Sequence, residues 1–572
     1  MFAGPIFSRE ALTSPRKMRH FLIRVGYVAA FMVLMYTASQ ATFGWQQAIG
    51  VGDYARFGAL LFKIFSVVQL SLLMFFALLF SASSVAQEKD RGTLVLLLLT
   101  DLRERELVFG KLFASLLIVG VTWAASIPVF LSIYLLGGVS LGQILWSLAI
   151  SGATVLAAGS WGSLVAYWRE KTFQTLAVSV LGAVLFLGVI QAISSFLPGL
   201  AGEWIAGLNP YAALNQLVDP FKTVTGTGLA HVSGAKSVIM LLALSAILNV
   251  STTLSLRHWN TLRYSRPREE KEATTGETRV KTRQIWANPV LWREICTRAY
   301  GKKMLAIKAA YLLLAGFLFY FLAGAASSGD QLMGIVQPTT FCFVGLCILS
   351  LLLINAQAVT AITSEKDAKT LVLLLATDLT AKEFVYGKIG GILYNSKELI
   401  LLPLGMLIYI AVSFSVGFEP LLYLCMGYLM LVAFATILGL HAGLGFDNSR
   451  SAIGNSLGTM FFLFVGIFIF MVLLLEARSS FFIQFQSFIL FIGVGSIGLY
   501  ASLTHSNPSG ALTLSAGILP FLTFYAITEF ILGGSLSVFL AITAAYGFTT
   551  LAMLIPTVSE FDAALGRTTI DK

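Results

Sequence analysis

The side chains able to accept a proton, cap a helix or pair with a partner's charge fall in one string that occurs twice. QEKDRGTLVLLLLTDLRERELVFGK at 87–111 returns without a gap as SEKDAKTLVLLLATDLTAKEFVYGK at 364–388, identical at 16 of 25 positions. Each copy carries carboxylates and hydroxyls in one register. The first has Glu88, Asp90, Thr93, Thr100, Asp101 and Glu106, and the second has Glu365, Asp367, Thr370, Thr377, Asp378 and Glu383. Within the strings, TLVLLLL and TLVLLLA are apolar stretches too short to cross a bilayer, suited to lie in its interface or to enter a groove on another protein. Asp101 to Glu104 and Thr380 to Glu383 have capping-box spacing, so a helix is expected to begin at each. Lys111 and Lys388, at the head of the next apolar run, are expected to snorkel to lipid headgroups. A mere tether has little reason to keep a polar string while the spans around it diverge, so the loops read as docking and coupling elements.

Other chemistries fare worse. A phosphate-cradling Walker A loop needs Gly-x4-Gly-Lys-Ser/Thr, and FGKL, YGKI and YGKK lack both the earlier glycine and the following hydroxyl. Nucleotide hydrolysis by this chain is therefore not expected, and it is not read as an enzyme. Cys296, Cys342, Cys347 and Cys425 have no metal-ligand spacing and read as packing residues, with no metal or cofactor bound by the chain. Lys63, Lys397 and Glu398 lie within apolar runs, where a charge costs at least ~2.5 kcal/mol. They are the candidate intramembrane functional residues, with an interhelical ion pair as the plainer reading. His441 and Asn395 read as satisfied packing residues, and Gly152, Gly159, Gly162, Gly439 and Gly443 as sites of close helix contact.

The elements that must position these residues are membrane spans. Mean hydropathy is +0.84, 57% of residues are apolar and 12% are charged, against about a quarter charged in soluble domains. The net charge of +10 is concentrated at Arg9, Arg16, Lys17 and Arg19, the repeated loops, the Arg169–Lys171 turn and the stretch from Arg257 to Lys303. That is the positive-inside pattern. It places the N-terminus, both loops and the centre of the chain in the cytoplasm, and argues for contact with anionic lipid and not nucleic acid.

The fold class is an all-α polytopic membrane protein built from two tandem parallel six-span-type repeats, about 12 to 14 transmembrane helices. Residues 1–256 form a first unit with spans near 21–42, 57–85, 108–137, 141–167, 174–197 and 235–256 and a coupling loop at 86–107. Residues 257–287 form an exposed linker. Residues 288–572 form a second unit, with a loop at 363–384 and spans near 304–325, 334–362, 385–414, 419–446, 452–475 and 534–556. An extra apolar piece at 481–530, a full or re-entrant hairpin, stands where the first unit has the shorter segment 198–234. GPIFSRE at 4–10 is echoed by NPVLWRE at 288–294.

At these residues the chain resembles the permease subunits of the type 2 ABC exporter superfamily, also called type V exporters. The family pattern is matched at Glu88, Gly92, Thr93, Leu94, Thr100, Leu102, Glu106, Gly110 and Lys111, and again at Glu365, Thr370, Leu371, Thr377, Leu379, Glu383, Gly387 and Lys388. Asp101 and Asp378 stand where the family often has proline, and Lys369 replaces the glycine of the second copy. The resemblance implies amphipathic connecting helices at 5–19 and 289–303, coupling helices in the repeated loops, and a pathway lined by the second and fifth spans of each unit. It further implies cytoplasmic ABC ATPase subunits in two copies as partners, which would hold the ATP and magnesium, and export across the inner (cell) membrane. The cargo leaves no motif. An ion-gradient transporter using Lys397 and Glu398, and a scaffold that binds a complex without transport, are the alternatives.

Overall fold

The computed structural model describes residues 4–13, 18–43, 50–197, 199–218, 234–261, 286–296, 304–325, 338–371, 379–413, 416–477, 481–505 and 508–564. In the first half the helices are α1 (Gly4–Thr13), α2 (Met18–Phe43), α3 (Val51–Asp90), α4 (Thr93–Leu98), α5 (Glu104–Leu136), α6 (Leu141–Trp168), α7 (Thr172–Phe196), α8 (Leu200–Ala206), α9 (Pro210–Val218) and α10 (Gly234–Thr261). In the second half they are α11 (Pro289–Cys296), α12 (Met304–Ala325), α13 (Pro338–Asp367), α14 (Ala381–Asn395), α15 (Lys397–Ser413) and α16 (Phe418–Gly445). Then α17 (Ser449–Phe461) continues through a π-helical turn into α18 (Ile467–Ala477). After α19 (Phe481–Leu503) and α20 (Gly510–Leu532), α21 (Ser535–Ile542) continues likewise into α22 (Phe548–Ala564).

Among the described residues eleven helices are long and apolar enough to cross a bilayer, and α14 with α15, bent by 55°, makes a twelfth when taken as one span. The expected single helix over 385–414 is thus broken at Ser396, beside the charged pair Lys397 and Glu398. The piece at 481–530 is a hairpin, α19 and α20, while its first-half counterpart shows, among the described residues, the short helices α8 and α9. The expected connecting helices at 5–19 and 289–303 begin as α1 and α11, and their stretches 14–17 and 297–303 lie outside the described residues. The expected linker starts later than residue 257, because α10 runs on to Thr261 and Arg257 pairs with Glu104 at 2.8 Å. Residues 262–285 of that linker lie outside the described residues.

Within each half the second helix packs along the fourth and fifth: α3 on α6 and α7, α13 on α16 and α17. Small residues permit the close approach. A Cβ on Gly162 would stand 2.9 Å from the Leu78 carbonyl oxygen, and one on Gly439 would stand 2.8 Å from that of Asn355, the matching residue 277 positions later. The halves meet through the second and fifth helices, with α3 against α17 and α7 against α13. Phe75 stacks on Phe461 across this seam at 5.4 Å between ring centroids.

Candidate functional site

The two polar strings fold into the same contacts. Lys89 Nζ donates to the carbonyl oxygens of Tyr167 (2.5 Å) and Arg169 (2.9 Å), and Lys366 Nζ donates to those of Leu444 (2.5 Å) and Phe446 (3.2 Å). Asp90 accepts from the Thr172 hydroxyl at 2.5 Å, and Asp367 accepts from Ser449. Lys111 pairs with Glu88 at 2.7 Å, and Lys388 with Glu365 at 2.7 Å. The hydroxyls of Thr93 and Thr370 both reach back to the preceding glutamate's carbonyl, of Glu88 and Glu365. Every one of these pairs recurs with each residue shifted by 277 positions.

This geometry corrects several expectations. Lys388 does not snorkel to headgroups; its side chain is 2% exposed and lies between Glu294 and Glu365, each at 2.7 Å. Two carboxylates within reach, in an interior that strengthens their attraction, offset the desolvation of the buried ammonium. Lys111 is likewise held by Glu88. The capping box predicted at Thr380 to Glu383 is present, with the Thr380 hydroxyl accepting from the Glu383 amide at 3.2 Å. In the first copy the box falls at Arg103 to Glu106, where the Arg103 amide donates to Glu106 at 3.2 Å, and not at Asp101 to Glu104. The helix opens two residues later than the spacing suggested.

Glu88, Glu365, Asp90, Asp367, Glu106 and Glu383 are therefore engaged inside the protein. The groups the first loop displays are Leu96 and Leu99, 64% and 78% exposed, with Thr100, Asp101, Arg103 and Arg105 beside them. The sequence marked the apolar stretch but not which leucines face out. One turn of helix decides that, burying Leu94 and exposing Leu96. Residues 372–378, including Thr377 and Asp378, lie outside the described residues.

The connecting helix α11 completes the second site. Gly391 lets it approach α14, since a Cβ there would stand 2.5 Å from Cβ of Glu294. Burial alone would raise the Glu294 carboxyl. Lys388 and Arg293 outweigh it and hold the group below the usual carboxylate range. Arg293 also pairs with Glu365. Its first-half counterpart, Glu10, has a side chain outside the described residues.

The candidate intramembrane residues are not brought together. Glu398 pairs with Lys308 of α12 at 2.7 Å, while Lys397 lies over the Tyr394 ring at 4.8 Å. Lys63 is on an exposed face of α3, 27 residues and so about 40 Å along the helix from Asp90, toward its opposite end. His441 bonds the Leu503 carbonyl at 3.0 Å, and Asn395 donates to those of Gly391 and Glu294.

Residues 10–266 match the family model described as ABC-2 family transporter protein. No curated protein and no solved structure matches the chain. The matched region holds five of the eleven helices long and apolar enough to cross a bilayer among the described residues, α3, α5, α6, α7 and α10. Residues 10–266 of this multi-pass membrane protein are thus similar to the ABC-2 transporter family, whose members are permease subunits of ABC transporters.

Proposed function

We propose that the chain is two ABC-2 permease units fused in tandem, together supplying the translocation pathway of an ATP-driven exporter in the cytoplasmic membrane. The observation that carries this is the recurrence, 277 positions apart, of the contacts that tie each loop to its own helices. Two loops alike in sequence and anchored alike at their ends would offer two equivalent docking elements on the cytoplasmic side, one for each of two separate ATPase subunits. Those subunits hold ATP and magnesium. The exposed Leu96 and Leu99 suit insertion into a groove on such a partner, with Asp101, Arg103 and Arg105 as the polar rim. Closure of the ATPases would displace both loops together and open the seam between α3, α7, α13 and α17 to alternate sides. Both termini are cytoplasmic in this arrangement.

The test is capture of ATPase subunits by the tagged chain in mild detergent, comparing wild type with Leu96→Glu plus Leu99→Glu. These leucines are exposed, so the variant keeps its fold. Recovery of a nucleotide-binding subunit with wild type, and its loss with the variant, is the expected result. Flux without any such subunit would instead support ion-gradient transport, and binding without flux would support a scaffold; either defeats the proposal.

A further inference from the structure

We infer that the turns joining the fourth and fifth spans, at 167–172 and 444–449, are a second transmission element, strapped to the loops by the dipeptides Lys89–Asp90 and Lys366–Asp367. This inference rests on the coupling role proposed for the loops. Each lysine supplies its ammonium to carbonyls at the end of one helix, α6 or α16, where backbone acceptors lack intrahelical partners. Each aspartate takes the hydroxyl of the first residue of the next helix, Thr172 of α7 or Ser449 of α17. A carboxylate at a helix start also suits that end's partial positive charge.

Two adjacent residues at the end of α3 thus hold the tail of one span and the head of the next. The same holds for α13. The loop begins at the very next residue, so it cannot be displaced without pulling on this turn unless the three hydrogen bonds of its strap break. The turn in turn heads α7 and α17, the helices that form the seam between the halves. Lys89, Asp90, Lys366 and Asp367 are on this reading positioning residues that carry loop motion directly to the fifth spans, alongside the route through α5 and α14.

The experiment uses the full chain with its co-purified ATPase subunits and follows amide hydrogen exchange with and without ATP and magnesium. The variant is Lys89→Met plus Lys366→Met, which keeps the carbon stems and removes the ammonium groups; Lys89→Arg plus Lys366→Arg is the conservative rescue. In wild type, nucleotide is expected to change exchange both in the loop at 91–103 and in the turn at 168–175. The Met variant should capture the ATPase as wild type does and keep the loop response, while the turn's response is lost and its basal exchange rises at least about tenfold. The Arg variant should restore the turn's response. A turn response that survives in the Met variant overturns the inference. Should wild type capture no ATPase, the coupling proposal fails separately. The strap is then judged in the isolated chain, where unchanged exchange at 168–175 and 445–452 in the Met variant overturns it.

Discussion

Arg91, at the end of α3, donates to Asp367, at the end of α13, with its nearest guanidinium nitrogen at 3.1 Å from the carboxylate. This pair joins the two halves at their loop ends, and it has one sense only. The residue 277 positions after Arg91 is Ala368, so Asp90 receives no reciprocal arginine from the second copy. Arg91→Ala should release the loop ends, and adding Ala368→Arg should restore the closure by reaching Asp90 from the opposite side. A half-exposed pair contributes about 1 kcal/mol at most, so the shift in the open-to-closed ratio should be up to about fivefold. Spin-label distances between the ends of α3 and α13 measure it, and an Ala368→Arg chain no more closed than Arg91→Ala alone would contradict the symmetry argument.

The two loop-end ion pairs should differ in weight. Glu294→Ala strands the buried Lys388 with only Glu365 to balance Arg293 and itself, and a broken buried pair costs about 3–5 kcal/mol. Glu88→Ala removes a partner of the less buried Lys111 and should cost about 1 kcal/mol. Thermal unfolding in detergent should rank Glu294→Ala well below Glu88→Ala.

Acid should act through Glu294. Its carboxyl is held below the usual carboxylate range in the folded protein, so the unfolded chain binds its proton first as pH falls. The stability it contributes is complete above the unfolded value near 4.3 and is lost as pH drops through the lower folded value. Between pH 7 and pH 3.5 the wild-type melting temperature should fall further than that of Glu294→Gln. Parallel slopes would show that this carboxylate is not responsible.

Gly92 and its counterpart Lys369 both adopt left-handed backbone, with φ of 72° and 57°. The second copy keeps the turn without the glycine. A Cβ on Gly92 meets nothing within 4 Å, so Gly92→Lys should cost only the backbone penalty of about 1–2 kcal/mol and leave ATPase capture intact. Gly162→Ala drives a methyl against the Leu78 carbonyl and should cost more; melting curves of the two variants order them.

Much of the architecture was legible because apolar runs of about 20 residues and the positions of Arg and Lys are strong one-dimensional signals. The α19–α20 hairpin could be placed from its length but its form could not, since one long apolar stretch crosses or re-enters with the same composition. At the loops, the repeat identified the right residues but not their direction. Glu88 and Glu365 read as displayed carboxylates because a sequence shows charge and hides the lysine that folds back 23 residues on. Lys89 and Lys366 passed as ordinary positive-inside charges for a similar reason. Their acceptors are backbone carbonyls, which every residue carries and no alphabet distinguishes. The 55° break at Ser396 falls between the Gly390–Gly391 pair and Pro403, and neither marks its position.

The α19–α20 hairpin makes the molecule's two sides unequal. Where the halves meet, α2 lies against α18 on one flank and α12 against α7 on the other. On the first flank α19 lies along α2, fastened by Ser487 donating to the Thr37 carbonyl at 2.7 Å. Among the described residues no first-half helix other than α7 packs against α12. A dimer of identical chains must offer the surrounding bilayer two identical doorways. Among the described residues this chain covers the flank between α2 and α18 with its own α19 and leaves the flank between α7 and α12 without such a cover, so the surrounding bilayer meets two unlike sides.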